Sequence, residues 1–313
     1  MQTIGFDIGG TKIAAAVVDA DGRELVETRR DTPGTWGETA AALRAAFTEL
    51  HRACPDVGAV GVGIAGLVDH TGRLSYGPNL PGLQHVDVQA ELSRDFPLPV
   101  VVDNDANAAA YGEATHGAIR GVDDALLVTL GTGIGGGLII GGEVYRGGHG
   151  FAAEIGHITI DLDGPLCACG ERGHWEAFAS GNALGRIGRE AAAAGNAPSV
   201  LAEAGGDVAA ITGHEVGQAA AAGAPDAVAL IDGYADLVAV GLANLANILD
   251  PSAIVISGGL INLGDVLMRP VRKHFLARIE AGTERPVPEL VAATLGERAG
   301  VIGAAALARR FVA

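Results

Sequence analysis

Short apolar runs separated by glycine breaks dominate the opening of the chain. Residues 3–6, 13–18 and 24–28 are apolar or alternate apolar with polar, and Gly9-Gly10 and Asp21-Gly22 stand in the breaks between them. Such runs, joined by glycine turns, predict an antiparallel meander of three strands. Over residues 35–53 the period changes: apolar positions recur at helical spacing behind Thr35, whose hydroxyl suits an N-cap. Residues 57–64 and 99–102 are short β-branched runs, the pattern of buried strands in an α/β sheet, with a short helical pattern at 87–94 between them. An Ala-rich helix over 103–115 follows the second run directly, with Asp and Asn residues at its head. Functional groups collect at such strand-to-helix junctions in open α/β sheets.

The opening theme then returns. VTLGTGIGGGLIIGGEVY, from Val128, set under FDIGGTKIAAAVVDADGREL, from Phe6, shows the same succession of strand, glycine turn, strand, glycine turn and strand. This predicts an α/β chain built by duplication, with the two glycine turns facing each other across a cleft between its domains. That geometry suits a phosphate chain held from both sides. Farther on, a helical pattern over 226–249 stops at Asp250-Pro251, a strand over 253–257 runs into Gly258-Gly259, and a helix over 300–311 closes the chain. Residues 191–223, rich in Ala and Gly, read as a loose stretch.

Composition narrows the class. A chain of 313 residues, 49% hydrophobic, buries a large core, and its length favours two domains. Lys plus Arg number 21 against 37 Asp plus Glu, so the molecular field repels nucleic acid and anionic membranes. Three cysteines are too few for a disulfide scaffold and point to a reducing compartment. The N-terminus, MQTIGFDIGG, lacks the basic and apolar regions of a signal peptide, and the apolar stretch 125–140 is broken by seven polar or glycine positions. The expectation is a cytoplasmic protein with neither nucleic acid nor membrane as a partner.

The candidate chemistry lies in four segments. Between Glu154 and Glu176, EIGHITIDLDGPLCACGERGHWE gathers His157, Cys167, Cys169 and His174, four donors within reach of one tetrahedral ion, for which zinc is the natural occupant. The bland alternative makes the cysteines small buried hydrophobes and the histidines surface residues. DIGGTK places Asp7, Gly9, Gly10, Thr11 and Lys12 in a turn where backbone N–H groups approach phosphate oxygens and Asp7 holds hydrated magnesium; alone, it also reads as a plain hairpin. Gly131, Thr132 and Gly133 repeat the device, and Gly258-Gly259 offers a third close approach. In DNDANAAAYGEA, Asp103 suits a helix cap, Asp105 is the better candidate for a base, and Asn104 can donate to and accept from a sugar hydroxyl. Neither the GxxxxGK[ST] loop nor a GxGxxG opening a helix is found.

DIGGTK, DNDANAAA, GTGIGGG and EIGH followed after nine residues by CACGERGHWE together resemble the ROK family of sugar kinases, over essentially the whole chain. The resemblance is nearest to the bacterial ATP-dependent glucokinases of that family. It implies an actin-like, ribonuclease H-like fold: a small α/β domain over 1–118 completed by the helix 300–313, and a large α/β domain over 119–299 carrying the zinc loop. It further implies ATP with Mg2+, phosphorylation of a hexose on its 6-hydroxyl, Asp105 as general base, and Asn104, Glu154, His157 and Glu176 on sugar hydroxyls, with Gly66 near the sugar. Zn2+ is then structural, with His157 serving both metal and sugar, and the assembly a homodimer or homotetramer. One position departs from the family pattern CxCGxxGC: its last residue here is His174, which makes the set Cys2His2 and removes one negative charge. Kinases for mannose, N-acetylglucosamine or N-acetylmannosamine, polyphosphate as donor, a sugar-responsive regulator, a zinc hydrolase and a silent sugar binder are the competing readings.

Overall fold

The computed structural model describes residues 1–80 and 82–313. By compactness the chain divides into one unit of residues 1–127, 136–153 and 293–313 and another of 128–135 and 154–292.

The first unit opens with the expected meander: β1 (Gln2–Ile8), β2 (Lys12–Val18) and β3 (Glu24–Asp31). Next come α1 (Trp36–Ala53), β4 (Val57–Ile64), the small pair β5 (Leu67–Val68) and β6 (Leu74–Tyr76), α2 (Val88–Asp95), β7 (Val100–Asn104) and α3 (Asp105–His116). β1 is antiparallel to β2 and parallel to β4, β4 is parallel to β7, and the sheet runs β3-β2-β1-β4-β7. Thr35 caps α1, accepting from the Glu38 N–H at 3.4 Å. The helix buries Leu43, Phe47 and Leu50 against the sheet, and Phe47 stacks on Phe96 with ring centroids 4.4 Å apart. Each such side chain contributes roughly 1.5–3 kcal/mol.

Three more strands follow, β8 (Ala125–Leu130), β9 (Ile134–Ile140) and the short β10 (Glu143–Val144). The second unit continues with helices α4 (Trp175–Ala179), α5 (Gly181–Ala193), α6 (Pro198–Glu203), α7 (Gly213–Ala221) and α8 (Pro225–Leu249). It ends with β11 (Ala253–Ser257), α9 (Asp265–Arg278) and β12 (Glu289–Ala292), and α10 (Ala299–Val312) returns to the first unit. The second sheet runs β10-β9-β8-β11-β12, repeating strand for strand the order of the first.

α10 packs on β1, β4 and α3 through backbone-to-backbone approach. A Cβ on Gly303 would lie 1.7 Å from the Ala108 carbonyl oxygen and one on Gly61 1.8 Å from that of Ala304, so only glycine permits the contact.

Three details differ from the sequence expectation. Asn104, not Asp103, caps α3; its Oδ1 accepts from the Ala106 and Asn107 N–H groups, because Asp103 still belongs to β7. The stretch 191–223 contains α6 and α7 and the end of α5 rather than a loose connection, since Ala favours helix and Thr212 with Glu215 forms a capping box. The apolar stretch 125–140 forms strands β8 and β9, whereas among the described residues one helix, α8, is long and apolar enough to cross a membrane by length and composition. Half of its most apolar window is buried in the protein, and the Tyr234 hydroxyl on it donates to the Ala179 carbonyl at 2.5 Å.

Candidate active site

In the first unit, the site is built on the C-terminal ends of β1, β4 and β7. Gly9 N–H donates to the Lys12 carbonyl at 3.0 Å, closing the DIGGTK turn, and the Thr32 hydroxyl donates to the Gly9 carbonyl at 2.7 Å. Gly10 lies close to Asn79, where a Cβ would meet the carbonyl oxygen at 2.9 Å. Thr11 is exposed, and Lys12 reaches Glu297 at 2.7 Å in a solvent-exposed pair that a better anion can displace. Arg298, next to Glu297, lies 3.7 Å from Glu24.

Asp7 ends the same strand. Burial, reinforced by the Asp105 charge and partly offset by Lys12, pushes its carboxyl up to about 7. Asp105, the first residue of α3, is likewise raised by burial, against the bonds its carboxylate receives from the Ala106 N–H and the Asn104 amide, each at 3.0 Å. Asn104 Nδ2 also donates to the Gly66 carbonyl at 3.0 Å, which ties Gly66 to the head of α3. Gly66 has φ +133, and a Cβ there would meet the Tyr76 carbonyl oxygen at 2.4 Å, so the position requires glycine.

In the second unit, Gly131, Thr132 and Gly133 form the β8–β9 turn. It is closed by Gly131 N–H to the Gly133 carbonyl at 3.0 Å and held from outside by Glu176, whose Oε2 accepts from the Ile134 N–H at 2.8 Å. Gly258, at φ +89 after β11, has the Leu130 carbonyl oxygen 2.4 Å from its Cβ position, while nothing crowds Gly259. Glu154 precedes the short 3-10 turn Ile155–His157 and His157 ends it, with His157 Nε2 4.0 Å from Glu154.

The Cys/His loop folds back through Gly173 N–H to the Pro165 carbonyl at 2.9 Å and Cys167 N–H to the Glu171 carbonyl at 2.8 Å. His174 heads α4, and the following Trp175 is fully buried, donating to the Leu237 carbonyl at 3.0 Å. As a result the ligand atoms of His157, Cys167, Cys169 and His174 all lie within 4.8 Å of one another. The two Nδ1 atoms are 3.3 Å apart, Cys169 Sγ is 3.2 Å from His174 Nδ1, and Cys167 Sγ is 3.8 Å from His157 Nδ1. Tetrahedral zinc with ordinary bond lengths requires about 3.3 Å between two nitrogens and about 3.6 Å between nitrogen and sulfur. The four residues therefore fit zinc, and two thiolates with two neutral imidazoles balance its charge. Without a cation, burial drives the Cys167 thiol up to about 11; a bound cation favours the thiolate instead.

Three residues with close polar partners were not singled out from the sequence. Arg146 pairs with Asp103, buried Glu113 accepts from the N–H groups of Thr294 and Leu295, and His274 lies between Asp232 and Asp236. The only sequence signal among them is the i,i+4 acid pair on α8. Of the other histidines, His51 stacks on Phe47, and His70 bonds the Gly147 carbonyl. Trp36 packs beside the core and donates to Glu91.

The profile of the ROK family matches residues 3–311. The chain belongs to the ROK family. A glucokinase from Streptomyces coelicolor is 44% identical over 313 residues, covering 98% of this ROK protein and 97% of that relative. The crystal structure of a ROK family glucokinase from Streptomyces griseus in complex with glucose and AMPPNP aligns with a TM-score of 0.87 at 44% identity, covering 99% of this chain and 100% of that one. A ROK family transcriptional regulator, a homolog of the Escherichia coli MLC protein, aligns with a TM-score of 0.85 at 26% identity, covering 98% of this chain and 77% of that one. The α/β, actin-like fold implied by the sequence resemblance is thereby established for this ROK protein.

Proposed function

We propose that this ROK protein is a glucokinase that transfers the terminal phosphoryl group of ATP to the 6-hydroxyl of glucose. The observation that carries the reading is Asp105: a desolvated carboxylate at the head of α3, steered by the Asn104 amide, in a chain 44% identical over nearly its whole length to a glucokinase. A raised pKa brings a carboxylate closer to the operating pH, where it accepts a proton most effectively. The sugar O6–H proton passes to Asp105 as the new O–P bond forms and ADP leaves, and most of the acceleration comes from alignment and charge neutralisation.

The roles of the other residues follow by family resemblance. Gly66 and Asn104 hold the sugar beside Asp105, Asn104 exchanging one of its present bonds for a hydroxyl. Glu154, His157 and Glu176, whose Oε1 has only the Cys167 thiol at 3.7 Å to exchange for a hydroxyl, supply further hydroxyl contacts. The turn of Gly9, Gly10, Thr11 and Lys12, the turn of Gly131, Thr132 and Gly133, and Gly258-Gly259 present N–H groups and an ammonium to the nucleotide phosphates. Mg2+ would be held through water by Asp7, whose crowded, desolvated carboxyl favours a cation beside it; bound, it neutralises phosphate charge. Zn2+ would be held by His157, Cys167, Cys169 and His174, and four protein ligands leave it no open position for chemistry. The enzyme is read as cytoplasmic and as a homodimer or homotetramer.

The test is ADP release from ATP and magnesium with glucose, mannose, fructose, N-acetylglucosamine and N-acetylmannosamine, and with polyphosphate replacing ATP. Glucose is expected to lead, and Asp105→Asn to lower turnover by roughly 10²–10⁴-fold. A fall of less than about tenfold, 1.4 kcal/mol in barrier, would show that Asp105 is not the base. Preference for another hexose would rename the acceptor and leave the mechanism standing.

A further inference from the structure

We propose that Asp103 and Arg146 are positioning residues, a mostly buried ion pair that sets the first turn of α3 and thereby the side chains of Asn104 and Asp105. Its kinetic consequences rest on the sugar-kinase reading; its structural consequence does not.

Asp103 is the penultimate residue of β7 and only 5% exposed, so its carboxylate requires partners from the protein. Both oxygens have them. Oδ1 accepts from the Asn104 N–H at 2.8 Å and from Asn107 Nδ2 at 2.9 Å, and Oδ2 accepts from Arg146 Nε at 2.7 Å and Nη2 at 2.6 Å. Arg146 thus presents two donors of its planar fork to a single oxygen, a contact that lysine reproduces only in part. The guanidinium is itself anchored, with Nη1 donating to the Val144 carbonyl at 3.3 Å and the residue's own carbonyl accepting from the Ala152 N–H at 3.1 Å.

A connected set of bonds follows from this arrangement. Asp103 holds the backbone of Asn104 and the side chain of Asn107, and Asn104 Oδ1 holds the backbone N–H groups of Ala106 and Asn107. The two hydrogens of the Asn104 amide then point to the Gly66 carbonyl and to the Asp105 carboxylate. Without Arg146, Oδ2 of Asp103 would be left as a buried charge lacking its counterion. The carboxylate would then turn, releasing its hold on Asn104 and Asn107. Asp103 and Arg146 touch no reacting atom in this scheme; they act through Asn104 and Asp105.

The test compares the full-length protein with Arg146→Gln and Arg146→Lys by amide hydrogen exchange over residues 103–107, with α1 as internal reference. In Arg146→Gln, exchange there is expected to rise about tenfold or more while α1 is unchanged, with a smaller rise of several-fold in Arg146→Lys. On the kinetic side, sugar kcat/KM is expected to fall about tenfold or more in Arg146→Gln and to recover in part in Arg146→Lys, with the KM for ATP within about twofold of the parent. A pair that served stability alone would lower the melting temperature and leave these constants of the folded protein unchanged. Unaltered protection over 103–107 in either folded variant overturns the proposal, and Arg146→Lys carries the test should Arg146→Gln fail to fold. A parent protein inactive on every sugar, but with protection lost in the variant, would refute the kinase reading and keep the positioning pair. An active parent matched by an equally active Arg146→Gln would do the reverse.

Discussion

Replacing Asp7 by Asn should remove a stability penalty that grows with pH. In the folded chain burial and the nearby Asp105 charge push the Asp7 carboxyl from an ordinary value of 3.8 up to about 7. At 1.36 kcal/mol per pH unit, the charged form is at most roughly 4 kcal/mol less favourable in the folded than in the unfolded chain. Between pH 3.8 and about 7 the folded state binds more protons at this site than the unfolded state, so stability falls as pH rises through that window and levels off above it. The advantage of Asp7→Asn over the parent should therefore grow from roughly 2 kcal/mol at pH 5.5 to roughly 4 kcal/mol at pH 8. Loss of the charge beside Asp105 acts in the same direction. The assay is urea denaturation of both proteins at the two pH values, repeated with ATP and magnesium, which should restore stability at pH 8 in the parent more than in the variant. A difference between the proteins that stays constant within about 0.5 kcal/mol from pH 5.5 to 8 would refute the reasoning.

Elemental analysis of the purified protein should find about one zinc per chain, and Cys169→Ser should lose most of it while the loop 161–173 becomes sensitive to protease. Active protein with no zinc would exclude a required metal. Ala153 sits at φ +70, so Ala153→Gly should stabilise the chain by roughly 0.5–1 kcal/mol, relief of left-handed strain exceeding glycine's entropy; a fall in the denaturation midpoint would contradict this. Gly303→Ala places a methyl 1.7 Å from the Ala108 carbonyl oxygen and should destabilise by roughly 3 kcal/mol or more as α3 and α10 are forced apart. A loss below about 1 kcal/mol would mean that the helices separate more freely than their packing implies.

Much of the fold was legible because its signals are local. The DIGGTK turn, the Thr35 cap, the stop at Asp250-Pro251 and the second passage through strand and glycine turn each depend on residues a few positions apart. The Cys/His quartet was legible for the same reason, since 17 residues separate His157 from His174 and glycines within the loop let it turn back. Local pattern was ambiguous where two residues qualified equally. Asp103 and Asn104 both carry a capping oxygen, and the choice fell to Asn104 because the strand continues through Asp103. The stretch 191–223 misled because its glycines read as breaks, although Ala favours helix and the Thr212–Glu215 capping box starts one there.

What the chain determined by itself was therefore the order of its elements, the positions of its turns and which residue types stand at their ends, because these follow from backbone preference and side-chain reach over a turn or two. Tertiary structure alone decided what those groups became. Asp103 met Arg146 across 43 residues, Glu113 met Thr294 across 181, and Asp7 acquired its proton affinity from burial and from Asp105. Such pairings carry no mark in the sequence, since an isolated Arg or Glu looks the same whether it ends in solvent or against a buried partner. Desolvation belongs to the packed interior and to no single residue.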